Sequence, residues 1–525
     1  MAFATLFRPG TAVLGGENET CVDDARRHPG QRRACLSSSG GRLGPVTRQA
    51  LLLCLGLCSC GSPARAPAPA APAPGDDVDR YIAGEMRQRG IPGVAVGVVR
   101  TGEIVKLAGY GVATLDHDVP VTPQTVFSIA SVDKQFTALA VMLLVEEHKV
   151  SLDEPIGRYL AEVPASWNEI RVRHLLTHTS GLGDAAQDVA DGPRVYTRYT
   201  TRDLVEGILR THPDPPPGTR WRYSGDGFLL LQLLAERVSG VEYHQFLTTR
   251  VLQPLEMTDT RFLRPQEVRR HRATHYERGS TGNLQVYPYL LTDWDLWSEL
   301  GMSITDFARW AAALDSGRLL GPASLKAMWS PAVLRDGQPV QFRALTESFN
   351  SYGFGWILGA FRGHRTIGHA GYSGAAILRL PDDGVSVVVL TNLTRDSGSN
   401  PQGLALGIAG HYVPGVSWLA LRAIADPAPG VTEELLRELR RLGDGRPTLD
   451  RYTPTFCSLV EARAAGFQAE VRRLGTLESL TLLETNHEAG TRLLLYRANY
   501  SAGRLFCRIR MTDQNLIDRV QVDWI

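Results

Sequence analysis

The chain has 525 residues, 43% of them hydrophobic and 21% charged, an ordinary globular composition with room for more than one core. A formal net charge of +1 without long runs of one sign argues against a nucleic-acid partner, which would select for a basic stripe. There is no internal repeat, no paired Cys-x-x-Cys zinc spacing and no glycine-rich phosphate loop.

Residues 1–45 are polar, rich in Gly and Arg, and lack core patterning. Ala50–Leu57 is an apolar run too short to cross a bilayer as a helix and long enough for the core of a signal peptide. It leads into Leu57-Cys58-Ser59-Cys60, which resembles a bacterial lipoprotein cleavage box with Cys60 as the lipid-bearing residue; a secretory signal cut without lipidation is the other reading. Its distance from residue 1 fits translation beginning near Val46. Pro63–Gly75 alternates Pro and Ala, as a semi-rigid tether does. The expectation is an N-terminal extension and signal or lipoprotein segment over 1–60, a linker over 61–76, and an exported protein, periplasmic or held at a bacterial membrane by an N-terminal lipid.

Globular patterning starts near Asp79. A helix is expected over Val78–Arg89, then a strand over Gly93–Arg100, the turn Thr101-Gly102 and a second strand over Ile104–Gly109. Next, Ser131-Val132-Asp133-Lys134 opens the apolar run Phe136–Val145. Helical residues three apart share a face, so the Ser131 hydroxyl and the Lys134 amine can meet. A serine hydroxyl needs an adjacent base, and a lysine becomes one when burial or a nearby cation disfavours its charged form. N–H groups at the helix start offer donors to an oxyanion. Ser-x-x-Lys alone is cheap; the surrounding segments give it weight.

A largely helical section is expected to continue to about Ala327. Strands return at Gly353–Leu358, Thr366–His369, Gly374–Leu380 and Val385–Leu390. The early hairpin and the late strands should join in one sheet, with the helical insertion as the other wall of a cleft. After about Pro427 comes an amphipathic helix, Thr432–Leu442, with Leu435, Leu436, Leu439 and Leu442 at helical spacing, then strands at Ser479–Glu484, Arg492–Arg497 and Arg504–Ile509. These mark a small α+β accessory domain over 428–525. The cysteines are Cys21, Cys35, Cys54, Cys58, Cys60, Cys457 and Cys507, which leaves no thiol nucleophile in the middle; Cys457 and Cys507 read equally as a late disulfide or as reduced core residues.

Four further segments line up with Ser131: Leu175-Leu176-Thr177-His178-Thr179-Ser180-Gly181-Leu182, Tyr223-Ser224-Gly225-Asp226-Gly227, Tyr352-Gly353-Phe354-Gly355-Trp356 and His369-Ala370-Gly371. In this order and spacing the chain resembles, from about Asp79 to about Val413, the serine β-lactamase and penicillin-binding-protein superfamily, in the branch of class C β-lactamases, D-alanyl-D-alanine carboxypeptidases and related esterases. The resemblance implies a β-lactamase-like α/β (α+β) fold over 77–415: an antiparallel sheet flanked by helices, with an all-helical subdomain. It also implies Ser131 as the acylated nucleophile, Lys134 as its proton-handling partner, and Tyr223 as a proton shuttle whose phenol, ionising ordinarily near about pH 10, needs positive charge beside it. His369-Ala370-Gly371 takes the place of Lys-Thr-Gly. There Gly371 would let substrate approach the strand, and the N–H of Tyr372 would join that of Ser131 in an oxyanion hole. No metal or organic cofactor is implied.

Two departures stand out. The family's Tyr-x-Asn motif has Gly225 in the asparagine's place, which removes a side-chain hydrogen bond to a substrate amide and argues against classical β-lactams; Asp226 is one residue off. His369 replaces a lysine, so its charge should come and go near neutral pH. His178, in a Thr-His-Thr-Ser-Gly turn, reads as a hydrogen-bonding histidine rather than a base. Trp221, Tyr287, Tyr289, Trp294 and Trp297 either line an acyl pocket or fill the core. The function expected is a serine hydrolase acting through an acyl-enzyme on carboxylic esters or D-amino-acid-type amides. The alternatives are a D-alanyl-D-alanine carboxypeptidase or weak β-lactamase, and a non-catalytic penicillin-binding-like sensor. The partner expected is a small ester or peptide substrate, with no nucleic acid.

Overall fold

The computed structural model describes residues 76–184, 201–264, 267–287, 299–342, 351–488 and 490–523. The signal-like run, Cys60 and the Pro/Ala tether lie outside the described residues. The first helix, α1 (Asp77–Arg89), is set by a reciprocal cap: the Asp76 carboxylate accepts the Asp79 N–H at 2.9 Å, and the Asp79 carboxylate accepts the Asp76 N–H at 3.1 Å. Gly90, in the left-handed region, ends it.

Strands β1 (Gly93–Arg100) and β2 (Glu103–Thr114) form the expected hairpin, with β2 running on past Gly109. β3 (Val119–Pro120) adds to its edge. The later strands are β4 (Ser351–Tyr352), β5 (Ile357–Phe361), β6 (His364–Ala370), β7 (Ala375–Leu380) and β8 (Val385–Thr391). All join in one antiparallel sheet of order β3-β2-β1-β8-β7-β6-β5-β4, closed by β1 on β8 from Val94 opposite Thr391 to Arg100 opposite Val385. β1, β7 and β8 are apolar almost throughout because helices cover both faces. Val94, Val96, Val98, Val387 and Val389 pack on one side with Ile82 of α1. Ala95, Val99, Val388 and Leu390 face the other side, which the helix Ile304–Ala313 covers; that helix shares its core with the helix that carries Lys134.

That helix, α2 (Lys134–Glu146), is buried from Lys134 to Leu144, which is why its sequence is apolar on every side. Phe136 stacks on Trp310 at 4.2 Å, and the Trp310 indole N–H donates to Gln135 at 3.0 Å. Facing α2 is α3 (Gly225–Ser239), buried from Asp226 to Ala235. The middle, expected to be largely helical with an all-helical subdomain, also holds short strands. Val126–Ser128, Glu299–Ser303 and Arg261–Leu263 form a small sheet, and Tyr276–Arg278 pairs with Leu284–Val286. Strands this short carry too few residues for an alternating pattern to register.

The C-terminal region comprises α4 (Pro429–Gly443), α5 (Pro454–Val471) and the antiparallel sheet β9 (Leu477–Glu488), β10 (Thr491–Tyr500), β11 (Gly503–Thr512) and β12 (Ile517–Asp523). Leu435, Leu439 and Leu442 pack on Tyr496, Cys507 and Ile509. Helix α5 escaped the sequence reading because its apolar residues do not gather in one stripe. No disulfide joins Cys457 and Cys507: Cys507 is buried within β11 and Cys457 lies half-buried on α5, so they are separate thiols. The sheet's other face is not free. Leu483, Leu495 and Phe506 share a core with Ile82, Phe361 and Trp418; Trp418 lies 5.7 Å from Phe506, and the Arg508 guanidinium sits 5.1 Å from the Trp418 ring. An Arg362–Glu484 ion pair at 2.6 Å and a bond from the Ile424 N–H to Leu482 at 3.1 Å reinforce the join.

Candidate active site

Ser131 stands where the strand Val126–Ser128 turns into α2. Ala130 takes φ +43°, an unusual value for a residue with a Cβ, and the short 3-10 turn Ala130–Asp133 then runs straight into the helix. The Ser131 hydroxyl accepts from Lys134 Nζ at 3.4 Å. Lys134 is 8% exposed, with Nζ 4.0 Å from Asp133 Oδ1, 5.3 Å from the Tyr223 ring centre and 5.5 Å from that of Phe228. Burial pushes this amine towards its neutral form, but the neighbouring Tyr223 and the Asp133 and Asp184 carboxylates outweigh burial and raise its pKa. Lys134 is therefore held as an ammonium.

Tyr223 is placed by its neighbours. The Ser224 N–H donates to His178 Nδ1 at 3.1 Å, the Ser224 hydroxyl accepts the Gly227 N–H at 3.1 Å and donates to the Gly183 carbonyl at 2.6 Å, and the His178 ring lies 4.2 Å from the Tyr223 ring. Ser224 is thereby the cap of α3. His178 is fully buried, and burial together with the charge of Lys134 keeps its pKa well below the usual range. Because Nδ1 accepts, its proton is on Nε2.

His369 is also neutral. Nδ1 lies 3.0 Å from the Ala370 carbonyl and Nε2 3.1 Å from the Tyr352 hydroxyl, so Nδ1–H donates and Nε2 accepts. Burial, then the Lys134 charge, bring its pKa down to about 3. The cation expected to come and go near neutral pH is absent, because the ring is sealed between β6 and Tyr352 instead of facing water.

At Gly371 the backbone comes close to the chain that precedes Ser131. A Cβ there would lie 2.2 Å from the Ile129 carbonyl oxygen and 3.1 Å from Ala130 Cβ, so the glycine lets the end of β6 close on the chain just before Ser131. The Ser373 hydroxyl pins the same segment by donating to the Ser128 carbonyl at 2.7 Å. Tyr372 lies between these two contacts. Among the described residues, neither its N–H nor that of Ser131 donates to another group. Gly355, with φ +75°, closes the other side: a Cβ would meet the Lys134 carbonyl oxygen at 2.6 Å.

The protein-family model of the beta-lactamases matches residues 78–407. The chain belongs to the beta-lactamase family. It is 26% identical over 316 residues to Penicillin-binding protein 4* of Bacillus subtilis (strain 168), covering 56% of this chain and 67% of that protein. Among solved structures, the octameric penicillin-binding protein homologue from Pyrococcus abyssi aligns with a TM-score of 0.57 at 20% identity over 85% of this chain and 98% of its own. The D-amino acid amidase from Ochrobactrum anthropi SV3, complexed with L-phenylalanine amide, aligns with a TM-score of 0.54 at 24% identity over 64% of this chain and 99% of its own. At these identities the structural likeness speaks for the fold.

This beta-lactamase-family serine hydrolase carries two groups near the site that the sequence did not disclose. Gly225 opens α3, and its N–H donates to the carboxylate of half-buried Asp184, which also receives a backbone bond from Asp226. Burial raises the Asp184 pKa against the pull of those N–H groups and of Lys134. Asp226 itself is buried along α3. The second group is Arg395, whose N–H donates to the Tyr372 carbonyl at 2.8 Å; burial lowers its pKa, and its charge acts on Tyr223. Neither residue sits in a motif, and only the folding of distant loops brings them here. Of the aromatic candidates, Trp221 stacks on Phe342 at 4.5 Å within a core cluster, and Tyr287 lies 5.7 Å from the Tyr372 ring. Tyr289, Trp294 and Trp297 fall outside the described residues.

Proposed function

We propose that this protein hydrolyses carboxylic esters or D-amino-acid-type amides through an acyl-enzyme on Ser131. The observation that carries the reading is the contact of the Ser131 hydroxyl with Lys134 Nζ at 3.4 Å, with the Tyr223 ring centre 5.3 Å from the same nitrogen. Ser131 Oγ adds to the substrate carbonyl carbon as its proton passes to the Tyr223 oxygen, with Lys134 remaining an ammonium beside it, and from that oxygen the proton goes to the departing alkoxide or amine. Negative charge on the carbonyl oxygen is met by the N–H groups of Ser131 and Tyr372. Water then adds to the acyl ester, hands its proton to the Tyr223 oxygen, and Ser131 leaves with it. The Lys134 ammonium and the Arg395 guanidinium supply the positive charge that a proton-shuttling phenol needs.

Without an asparagine at position 225, small esters and amides suit the site better than classical β-lactams. The amidase named above, a structural relative, supports including D-amino-acid amides. Export with a lipid on Cys60 belongs to the same proposal and rests on the N-terminal sequence alone. The test is steady-state hydrolysis of p-nitrophenyl acetate by the protein and by Ser131→Ala. The variant should lose at least about a thousandfold in kcat/KM, in the range seen when a nucleophile is removed. Equal rates for the two proteins refute the reading.

A further inference from the structure

Resting on the acyl-enzyme reading above, we infer that Asp184 determines substrate choice at this site, favouring substrates with a free ammonium group beside the scissile carbonyl over their N-acylated counterparts. Two contacts place the carboxylate, and a charge interaction links it to the nucleophile's partner. It takes the N–H of Gly225, two residues after Tyr223; the preceding Gly183 carbonyl takes the hydroxyl of Ser224; and its charge acts on Lys134, which touches Ser131. It stands beside the nucleophile's partners, where Gly225 offers no side chain of its own.

The chemistry of the group sets the preference. An ionised carboxylate only accepts hydrogen bonds, whereas a carboxamide both donates and accepts. A carboxylate rewards an ammonium with a charge-assisted bond and gives an acyl-amide carbonyl nothing to accept from. It also offsets the positive charge of Lys134 and of Arg222, which lies near Gly183 and acts on Asp184. Without that offset, a second cation so close to Lys134 would be repelled. Asp184 is half-buried, so its charge is less screened than on the open surface, yet it is not sealed from a ligand.

The experiment compares D-phenylalanine p-nitroanilide with its N-acetyl derivative on the full chain, on Asp184→Asn and on Asp184→Glu. The ratio of kcat/KM, amine over N-acetyl, should exceed about ten for the natural chain, fall at least tenfold in Asp184→Asn and be partly restored in Asp184→Glu. A ratio that stays within twofold of the natural chain's in Asp184→Asn overturns the inference and leaves Asp184 as an anchor of α3, whatever the absolute rates. Calorimetric binding of D-phenylalaninamide and N-acetyl-D-phenylalaninamide to Ser131→Ala and to Ser131→Ala/Asp184→Asn separates the two readings. Amine-selective binding that depends on Asp184, without Ser131-dependent turnover, sustains the inference and sinks the hydrolase reading. Turnover with unselective binding does the reverse.

Discussion

At the scale of single residues, the site is defined by which groups carry charge. Lys134 is buried yet cationic because Tyr223, Asp133 and Asp184 surround it, while His178 and His369 are buried beside that cation and stay neutral. The Ser131–Lys134 pairing was legible because i and i+3 residues share a helical face. The charge states were not, since they depend on burial and on partners more than forty positions away, such as Asp184 from Lys134. Neutral burial has a consequence for stability. His275 and His369 have pKa values lowered to about 3, chiefly by burial, whereas an unfolded histidine takes a proton near about 6.5. Between those values the unfolded chain binds more protons, so stability present above about pH 6.5 is lost as pH falls towards 3. Each such histidine contributes at most about 1.4 kcal/mol per pH unit. Thermal melts at pH 7.5 and 5.0 should show a clear drop in Tm on acidification; a midpoint unchanged or higher at pH 5.0 contradicts this assignment.

At the scale of elements, the sheet was readable where strands are long and apolar. β1, β7 and β8 run without interruption because both faces are covered, and their joining from opposite ends of the family region follows from the need to bury those faces. What stayed hidden was short or paired at a distance: the strands Val126–Ser128 and Glu299–Ser303, and helix α5 with its scattered apolar residues. The glycines show the same limit. At Gly371 and Gly355 the backbone closes on Ile129 and Lys134, a contact no local pattern announces. Together they fix the turn at Ala130 on one side and the start of α2 on the other, so the Ser131 hydroxyl is positioned by elements far along the chain.

At the scale of the whole molecule, the region after Pro427 is built into the protein. Its sheet completes the core around Trp418, Phe361 and Ile82 and is tied on by the Arg362–Glu484 pair. Removing it exposes large apolar side chains, each worth roughly 1.5–3 kcal/mol when buried. A chain ending at Pro427 should therefore be insoluble or melt well below the full-length protein; an equally stable, equally active truncation would show that the region is dispensable. The claim on which the rest depends is the covalent intermediate. Its most direct measurement is intact-protein mass after brief mixing with p-nitrophenyl acetate and acid quench, followed by peptide mapping. One acetyl group on the peptide containing Ser131, absent from Ser131→Ala and lost with time as acetate is released, is the predicted result. No adduct during active turnover, or an acetyl group mapped to another residue, would contradict it.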